Sequence, residues 1–545
     1  MDPQFEKLLS SAADLKNCVS CRPEHYKKLL KAMVDDPIWL KANYEKAEQA
    51  LSYIEKKDQK VLLWLFKLAF EESLQSVMVF CLSKGLEIKE IQDLLPLHFA
   101  ASEGFVELAE LLIKKDVNPN LCDEEGLSPL HYAAMHDQSE VLDCLLGAGA
   151  DLYCSDEDFF QPAHLAIINA SVNVLKKLLE KGLDPNLESP CIEPLLVLAL
   201  CEEQKDCFLE LIAARAALFC KSLQYGTVLH AATAASDPFF LETLLAFDCD
   251  VDAMDDHGNT SLHLALLRSK EDMACYLLEK GASLEIADVY GRFPIHIAAE
   301  KALLKSLSFC HKRACPLEMK DLQGKTALHY AVLSSDLACV EYLLNQKVDV
   351  NAKDENLISP VYWACGRGFL NVLKCLVENG ADLSARDEFS MQPLHWAASN
   401  GSLQVIEYLI QQGVDVCAED ELGRSAIYHA ASNEHIDCVE LLKQAAADIS
   451  SVSLDGSNAL FVLARENKHE SLQALVGLGM PFDVVNAEGK TPLIEAAIYK
   501  KENTALVLLQ HGADPSLRDC KGFCVLDYAK QSNLQNLITY LNKKR

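Results

Sequence analysis

Eight histidines recur at one fixed spacing, and imidazole is a common metal ligand and acid–base group. They lie at multiples of 33 residues and are His98, His131, His164, His230, His263, His296, His329 and His395. Histidines at one repeated position could form a series of metal sites. At the same place in the pattern, however, the chain also carries Leu196, Tyr362, Tyr428, Phe461, Ile494 and Asp527. Because the spacing survives the loss of imidazole, the sequence predicts a structural role and no metal site.

Cysteine is the other residue type with chemical potential, and the chain has 21 of them. The densest cluster is Cys310, His311 and Cys315 in SFCHKRACPLE, while Cys18 and Cys21 form a lone C-x-x-C. Zinc needs further ligands at suitable spacing, which neither cluster supplies. The sequence also lacks G-x-x-x-x-G-K-[ST], G-x-S-x-G and H-E-x-x-H. We therefore expect no catalytic residue and no cofactor, although a Cys–His pair assembled from distant segments stays open as an alternative.

The elements that would position such groups are clearest in residues 389–420. Pro393 suits the first turn of a short helix, since its missing N–H has no partner there in any helix. Gly401 separates this helix from a second one, which Gly413 ends in the manner of a left-handed C-terminal residue. Apolar residues at helical spacing are Leu394, Ala397, Ala398, Val405, Ile406, Leu409 and Ile410.

This unit is repeated along most of the chain. Taking the residue before P-L-H as the anchor, successive anchors lie 33 apart, with one interval of 32 offset by one of 34 around Glu193. The anchors are Leu95, Ser128, Gln161, Glu193, Thr227, Thr260, Phe293, Thr326, Ser359, Gln392, Ser425, Asn458, Thr491 and Cys524. Since one unit cannot bury all its apolar faces alone, neighbouring copies must stack.

The pattern T-P-L-H-x-A-A followed by L-L-x-x-G-A-D resembles the ankyrin repeat over roughly residues 90–545. The resemblance implies an all-α fold, a solenoid of about 14 repeats with short β-hairpin fingers and a small helical N-terminal region. It implies that each motif histidine bonds the nearby Thr or Ser hydroxyl and loop backbone. It also implies a concave surface for protein binding, built from the hairpin tips and the inner face of each first helix.

The pattern divides the chain into four parts. Residues 1–58 are predicted to form a helical N-terminal region outside the repeat. Residues 59–92 keep the helix–loop–helix order but lack P-L-H, so we interpret them as a degenerate capping repeat. Residues 93–523 are ankyrin repeats, and residues 524–545 a C-terminal capping repeat with a polar outer face.

The net charge of −30 bears on the choice of partner. A surface this acidic repels nucleic-acid phosphate and anionic lipid, so we expect neither as a partner. Much of the acid recurs at one repeat position, at Asp255, Asp288, Asp321, Asp354, Asp387, Asp420 and Asp519. We attribute most of the charge to the repeat itself, and a basic patch on a protein partner is the secondary interpretation.

The chain has no run of about twenty apolar residues, so no membrane span is expected. The N-terminus lacks the basic-then-apolar order of a signal peptide. Together with the many cysteines, this favours a reducing, cytoplasmic location. We expect a monomer.

A row of apolar residues interrupts the otherwise polar hairpin tips. The tip residues are Val289, Tyr290, Leu322, Ile358, Phe389, Met391 and Leu422. The inner helices add Trp363, Arg367, Trp396 and Asn400, and basic residues stand at Arg292, Lys325 and Arg424. Aromatic residues with arginine are typical anchors of protein interfaces. Each tryptophan is equally consistent with filling space between helices, whereas a tip offers Phe389 and Tyr290 little to be buried against.

One asparagine is a candidate for modification. LLNQKVDVN, ending at Asn351, resembles the Leu-x5-Asp-Val-Asn pattern used by asparaginyl hydroxylases that act on ankyrin repeats. We expect Asn351 to be hydroxylated if the protein resides in an animal cytosol.

Two functions are consistent with the sequence. The first is a non-catalytic scaffold or adaptor for proteins, either of its own cell or as an effector delivered to a host cytosol by an intracellular bacterium. The alternative is an enzyme with a Cys/His active site on the repeats or in the N-terminal region.

Overall fold

Short helices in pairs, each pair followed by a loop, make up the described part of the chain. The computed structural model describes residues 59–544, apart from residues 188, 190, 223 and 248. The predicted N-terminal region, residues 1–58 with its C-x-x-C, lies outside the described residues.

Local sequence fixes where each first helix begins. Pro393 occupies the first helical turn, and the residue before it is extended. At Thr260 the backbone N–H donates to His263 Nδ1 at 3.1 Å, and the threonine hydroxyl lies 2.9 Å from the same nitrogen. The motif histidine thus satisfies groups that a helix N-terminus otherwise leaves unpaired.

The described residues fall into two compact units, one ending at residue 250 and the other beginning at residue 251. In the described part of the first unit the first helices are Gln59–Glu71, Pro96–Glu103, Pro129–Met135, Pro162–Ile168, Leu195–Cys201 and Val228–Ala234. The second helices are Gln75–Ser83, Val106–Lys114, Ser139–Gly147, Val172–Glu180, Lys205–Ala213 and Phe239–Leu245. Two 3-10 turns, Ile88–Glu90 and Gln92–Leu94, precede Pro96–Glu103. A two-stranded antiparallel ladder joins Lys221–Ser222 to Gly226–Thr227.

The second unit is more regular. Its first helices are Ser261–Leu267, Pro294–Glu300, Ala327–Leu333, Pro360–Arg367, Pro393–Ser399, Ala426–Ser432, Ala459–Glu466, Pro492–Ile498 and Val525–Gln531. Its second helices are Glu271–Glu279, Leu304–Lys312, Leu337–Asn345, Leu370–Glu378, Leu403–Gln411, Ile436–Gln444, His469–Gly477, Glu502–Gln510 and Gln535–Lys544.

Within each unit a helix packs against its counterpart in the next repeat and against its own pair partner. The core between them is built from the repeat's leucines and alanines, such as Leu394, Ala397, Ala398 and Leu409. This is the all-α repeat solenoid that the sequence predicts, and the fold class is confirmed.

Strand pairing at the fingers is sparse in the described residues. Besides the ladder in the first unit there are isolated bridges at Met254–Thr260, Glu419–Ser425 and Arg518–Cys524. Elsewhere the finger is a tight loop. Its closure depends on one side chain, which also sets the geometry of the candidate site.

Candidate functional site

An aspartate closes most of the described hairpin loops. In the loop that presents Tyr290, Asp288 Oδ1 accepts the backbone N–H of Tyr290 at 2.9 Å and of Arg292 at 2.8 Å. The loop that presents Phe389 repeats this with Asp387, at 3.0 Å from Phe389 and 2.8 Å from Met391. Asp123, Asp156, Asp255, Asp321, Asp354, Asp420 and Asp519 do the same. These carboxylates are therefore structural, which explains part of the acidic composition.

Backbone hydrogen bonds also join one tip to the next. The N–H of Leu322 donates to the carbonyl of Tyr290 at 3.3 Å, and Glu421 donates to Phe389 at 3.0 Å. Equivalent bonds run from Glu355 to Gln323 and from Glu388 to Asn356. Side chains on successive tips consequently lie side by side, as one continuous strip.

The strip exposes large apolar side chains. Val289 is 53% exposed, Tyr290 65%, Leu322 67%, Phe389 50% and Leu422 46%. Four residues proposed from the sequence line one cavity of about 400 Å³, together with Asp321, Gln323 and Tyr330; they are Val289, Tyr290, Arg292 and Leu322. We define this as the tip cavity. The three additional lining residues were missed because all three are polar, although Gln323 holds the loop position of Tyr290 and Phe389.

Charged groups in the tip cavity are tied to one another. Arg292 Nε lies 2.8 Å from Asp288 Oδ2, and its Nη1 lies 3.1 Å from Glu300 Oε2. The Arg292 guanidinium also stands 5.2 Å from the Tyr290 ring centroid. Burial and the hydrogen bond to Asp321 raise the pKa of Tyr330, whose hydroxyl donates to that carboxylate at 2.6 Å. The cavity thus has rigid polar walls and an apolar rim.

The inner helices carry a second group of residues from the predicted strip. Lys325 Nζ lies 5.5 Å from the Trp363 ring centroid, and Trp363 meets Trp396 edge to face at 5.4 Å. Gly366 leaves the space that Trp396 occupies, since a Cβ there would lie 3.1 Å from Trp396 Cε3. Both tryptophans are half-buried. They therefore fill space between helices and still present part of a ring to solvent.

Their indole N–H groups differ. Trp396 Nε1 donates to Asp387 Oδ2 at 2.9 Å, the same aspartate that closes the loop. Tyr132, Tyr330, His429 and Tyr528 make the equivalent bond in their own repeats. Trp363 Nε1 is buried and has no hydrogen-bond partner among the described residues.

The residue just before each anchor was expected to be exposed, and for Ile358 this is wrong. Ile358 is only 8% exposed. Its carbonyl accepts from His329 Nε2 at 3.1 Å, and the carbonyl of Met391 accepts from the Tyr362 hydroxyl at the same distance. The residue just before the anchor is held against the first helix of the preceding repeat by this hydrogen bond, and Met391 is accordingly half-buried. Arg424 is half-buried as well, with its Nε 2.8 Å from Asp420.

At the neighbouring position the structure exposes a residue that sequence reasoning missed. Leu357 is 45% exposed and has φ +61°, while the equivalent residue is Gly324 in the preceding loop and Ser390, with φ +57°, in the following one. A leucine in the glycine position of the turn was the available signal. Arg367 and Asn400 are exposed on the inner helices, as expected.

The motif histidines have structural surroundings. His263 Nε2 faces the carbonyl of Arg292 at 3.3 Å, and His395 Nε2 faces that of Ala418 at 3.0 Å. Since Nδ1 accepts from the anchor N–H, the other ring nitrogen carries the proton and donates onward. In the described part of the chain, no cluster of His, Cys, Asp and Glu has the arrangement of a metal site.

The Cys310 cluster lies at the end of helix Leu304–Lys312. Burial raises the pKa of the Cys310 thiol to about 12 and that of Cys315 to about 11. A thiol with so high a pKa carries almost no thiolate near neutral pH, and thiolate is the nucleophile. The cluster therefore presents buried thiols in the protonated form.

Asn351 bridges two repeats. Its Nδ2 donates to the carbonyl of Gly380 at 3.0 Å, and its Oδ1 accepts the N–H of Asp382 at 2.8 Å. Both polar atoms of the side-chain amide are hydrogen-bonded, and neither bond involves the Cβ.

Comparison with known families matches the described fold. A model for ankyrin repeats, in three copies, matches residues 68–156, 97–189, 196–288, 285–354, 361–453, 427–519 and 460–544. Comparison with curated proteins found no match. Among the described residues, no helix combines the length and apolar character needed to cross a bilayer.

Proposed function

The chain belongs to the ankyrin-repeat family, and we propose that it is a non-catalytic scaffold that binds a protein along the strip from Val289 to Leu422. Ankyrin repeats indicate a scaffold for protein–protein interaction. The finer assignment, to these tips, is ours. The proposal covers two roles: an adaptor in the cell that makes the protein, and an effector delivered to a host cytosol. The source organism distinguishes the two.

The observation that carries the proposal is the row of exposed apolar side chains on tips that hydrogen-bond to one another. Single exposed apolar residues are common, but soluble proteins usually keep a contiguous patch for binding. The tip cavity adds a recess of about 400 Å³ that can receive one side chain of the partner. Tyr290 and Arg292 at its edge are residue types common among interface hot spots.

The test is the double substitution Tyr290→Ala with Phe389→Ala. Burying an aromatic side chain is worth about 1.5–3 kcal/mol, so losing both should weaken partner binding by more than about tenfold. Both side chains are exposed and the loops are held by backbone groups, so thermal unfolding should stay nearly unchanged. Quantitative affinity capture from cytosol with mass spectrometry measures the first effect, and calorimetry the second.

The matched control is Phe219→Ala with Phe247→Ala, which removes two exposed aromatics from the other unit. Proteins captured by wild type and by this control, but lost with the Tyr290/Phe389 variant, are partners of the strip. Equal capture by all three chains would place the binding site elsewhere.

We further propose that residues 59–92 and 524–545 cap the repeats at 93–523. Gln59 Nε2 donates to Gly85 at 2.9 Å and its Oε1 accepts the N–H of Glu87 at 3.2 Å, so the first described pair is tied to its own following loop. We also propose a monomer in a reducing, cytoplasmic setting, which the many cysteines support.

A further inference from the structure

Three glutamates occupy the same place on three successive hairpin tips. Glu355, Glu388 and Glu421 are all exposed, and each backbone N–H donates to the preceding tip. No other tip intervenes between them. They therefore form a row of carboxylates with the period of the repeat.

The row is not neutralised from within. Nearby Arg424 is paired with buried Asp420, and Arg386 donates to the carbonyls of Ser390 at 2.8 Å and Glu419 at 2.7 Å. In the described part of the chain none of the three glutamate carboxylates takes part in an ion pair or a side-chain hydrogen bond. Exposed Arg367 lies at the end of an inner helix, outside the row.

Apolar side chains accompany the carboxylates on the same tips. Phe389 and Leu422 are exposed directly after Glu388 and Glu421, and Leu357 is exposed two residues after Glu355. Each of the three tips thus presents one acidic and one apolar side chain.

Spacing defines the ligand that would match. Helices packed as neighbours lie about 8–10 Å apart, which sets the step between successive tips. A polyproline II segment has three residues per turn and a rise of about 3.1 Å, so every third side chain returns to one face after about 9 Å. A β-strand alternates faces with a period of two and would turn every third side chain away.

We propose that the row from Glu355 to Glu421 binds a partner segment in the polyproline II conformation, with a lysine or arginine at every third position and apolar residues between. This proposal rests on the proposed function and deepens it, since it names the chemistry of the partner segment that binds the part of the strip from Glu355 to Leu422. The basic side chains pair with the glutamates while the intervening residues contact Leu357, Phe389 and Leu422.

The test uses a fluorescent peptide of four Pro-Pro-Lys triplets, measured by anisotropy at low salt. A peptide of identical composition with its lysines clustered in the centre is the control for spacing. We expect the triplet peptide to bind about tenfold more tightly than the clustered one, and to be weakened at about 0.5 M salt.

The chain variant is Glu355→Gln, Glu388→Gln, Glu421→Gln. The matched variant is Glu341→Gln, Glu407→Gln, Glu440→Gln, which removes the same charge from exposed positions of second helices. We expect the first to bind the triplet peptide about tenfold more weakly and the second to bind it as wild type does. A reversed pair, Glu355→Lys, Glu388→Lys, Glu421→Lys with a Pro-Pro-Glu peptide, should restore binding.

Wild-type affinity in the first glutamine variant, or equal affinity for the clustered peptide, would overturn the proposal. Its failure is separable from that of the proposed function. Loss of partner capture in the Tyr290/Phe389 variant, with no effect of the glutamine variant on the peptide, would remove only the polyproline ligand.

Discussion

At the scale of single residues, the loop aspartate of several repeats has two tasks. One carboxylate oxygen closes the loop through backbone N–H groups, and the other accepts from a side chain on the following helix, as Asp387 does from Trp396. Trp363 occupies the same helix position and leaves its N–H without a partner among the described residues. Two residues of one type at one position thus differ by a single hydrogen bond.

Replacing each tryptophan by phenylalanine isolates that bond. Trp396→Phe leaves a buried carboxylate without one of its donors, which should cost about 1–3 kcal/mol of unfolding free energy. Trp363→Phe removes a similar volume together with an unpaired buried donor, so its effect should be clearly smaller or of opposite sign. Urea unfolding followed by far-ultraviolet circular dichroism measures both. Equal losses would mean that ring packing, and not the hydrogen bond, sets the stability at this position.

The Asn351 side chain is a second residue-scale test. We propose that its Cβ is hydroxylated, which leaves the amide bridge to Gly380 and Asp382 intact. Incubation with an asparaginyl hydroxylase and 2-oxoglutarate should add one oxygen to the peptide that contains Asn351, as seen by tandem mass spectrometry. Asn120, which makes the same bridge to Gly149 and Asp151, serves as the internal comparison. An unmodified Asn351 peptide after full turnover with a reference substrate contradicts the assignment.

At the scale of the hairpin, the turn needs a residue with positive φ. Gly291 supplies it at +73°, and a Cβ there would lie 2.7 Å from the backbone nitrogen of Leu322. Leu357 stands at the equivalent turn position with φ +61°. Non-glycine residues pay roughly 1–2 kcal/mol for this conformation, so the leucine is retained against a local cost. Phe159 and Ser390 hold the same turn position with φ +68° and +57°, so a binding role for Leu357 rests on its exposed side chain and not on backbone strain.

Exchanging the two residue types should move stability in opposite directions. Gly291→Ala should lower the unfolding free energy by about 1–2 kcal/mol or more, because strain and a backbone clash add. Leu357→Gly should not lower it and should raise it by up to about 1 kcal/mol, while reducing partner capture through the lost apolar contact. Calorimetry of both variants with wild type decides this. A marked loss of stability in Leu357→Gly would show that the leucine contributes to packing and is not a binding residue.

The sequence alone predicts the fold well, because the apolar spacing, proline and glycine of the repeat recur many times. It predicts the exposure of the tip residues correctly at some positions and not at others. Tyr290 and Phe389 are exposed as expected, since nothing packs over the outer turn. Ile358 is not, because the carbonyl beside its side chain is drawn onto His329 of the preceding repeat, a contact that no local pattern encodes. Leu357 was missed for the converse reason: its exposure follows from the positive φ of the turn, which the apolar pattern of the repeat does not predict.

At the scale of the whole molecule, the buried motif histidines of many repeats act together on the pH dependence of stability. Burial lowers the pKa of the motif imidazoles, to about 4 at His164 and His395, with shifts in the same direction at His98, His131, His263, His296 and His329. The folded chain holds these rings neutral, whereas the unfolded chain protonates them near pH 6.5. Between these values the unfolded state binds more protons, so stability falls as pH falls.

We therefore expect an unfolding free energy that is nearly constant above about pH 6.5 and declines steadily down to about pH 4, by on the order of 5 kcal/mol or more. His395→Tyr is the control, because Tyr362 already replaces the histidine in the adjacent repeat and donates to Ala385 at 2.6 Å. That variant should fold and show a shallower pH dependence. Urea titrations at successive pH values provide the measurement, and a flat profile down to about pH 4 would contradict it.

Where an aspartate closes the loop, it does so mainly through backbone N–H groups, so most side chains at the outermost turn have no share in keeping the loop closed. Substitutions at those positions can therefore change binding with little effect on folding. A lineage can rewrite Tyr290, Phe389 or Leu422 one codon at a time, with each intermediate still able to fold. A library randomised at these turns should accordingly yield mostly folded members, which makes the chain a natural starting point for evolving new specificities.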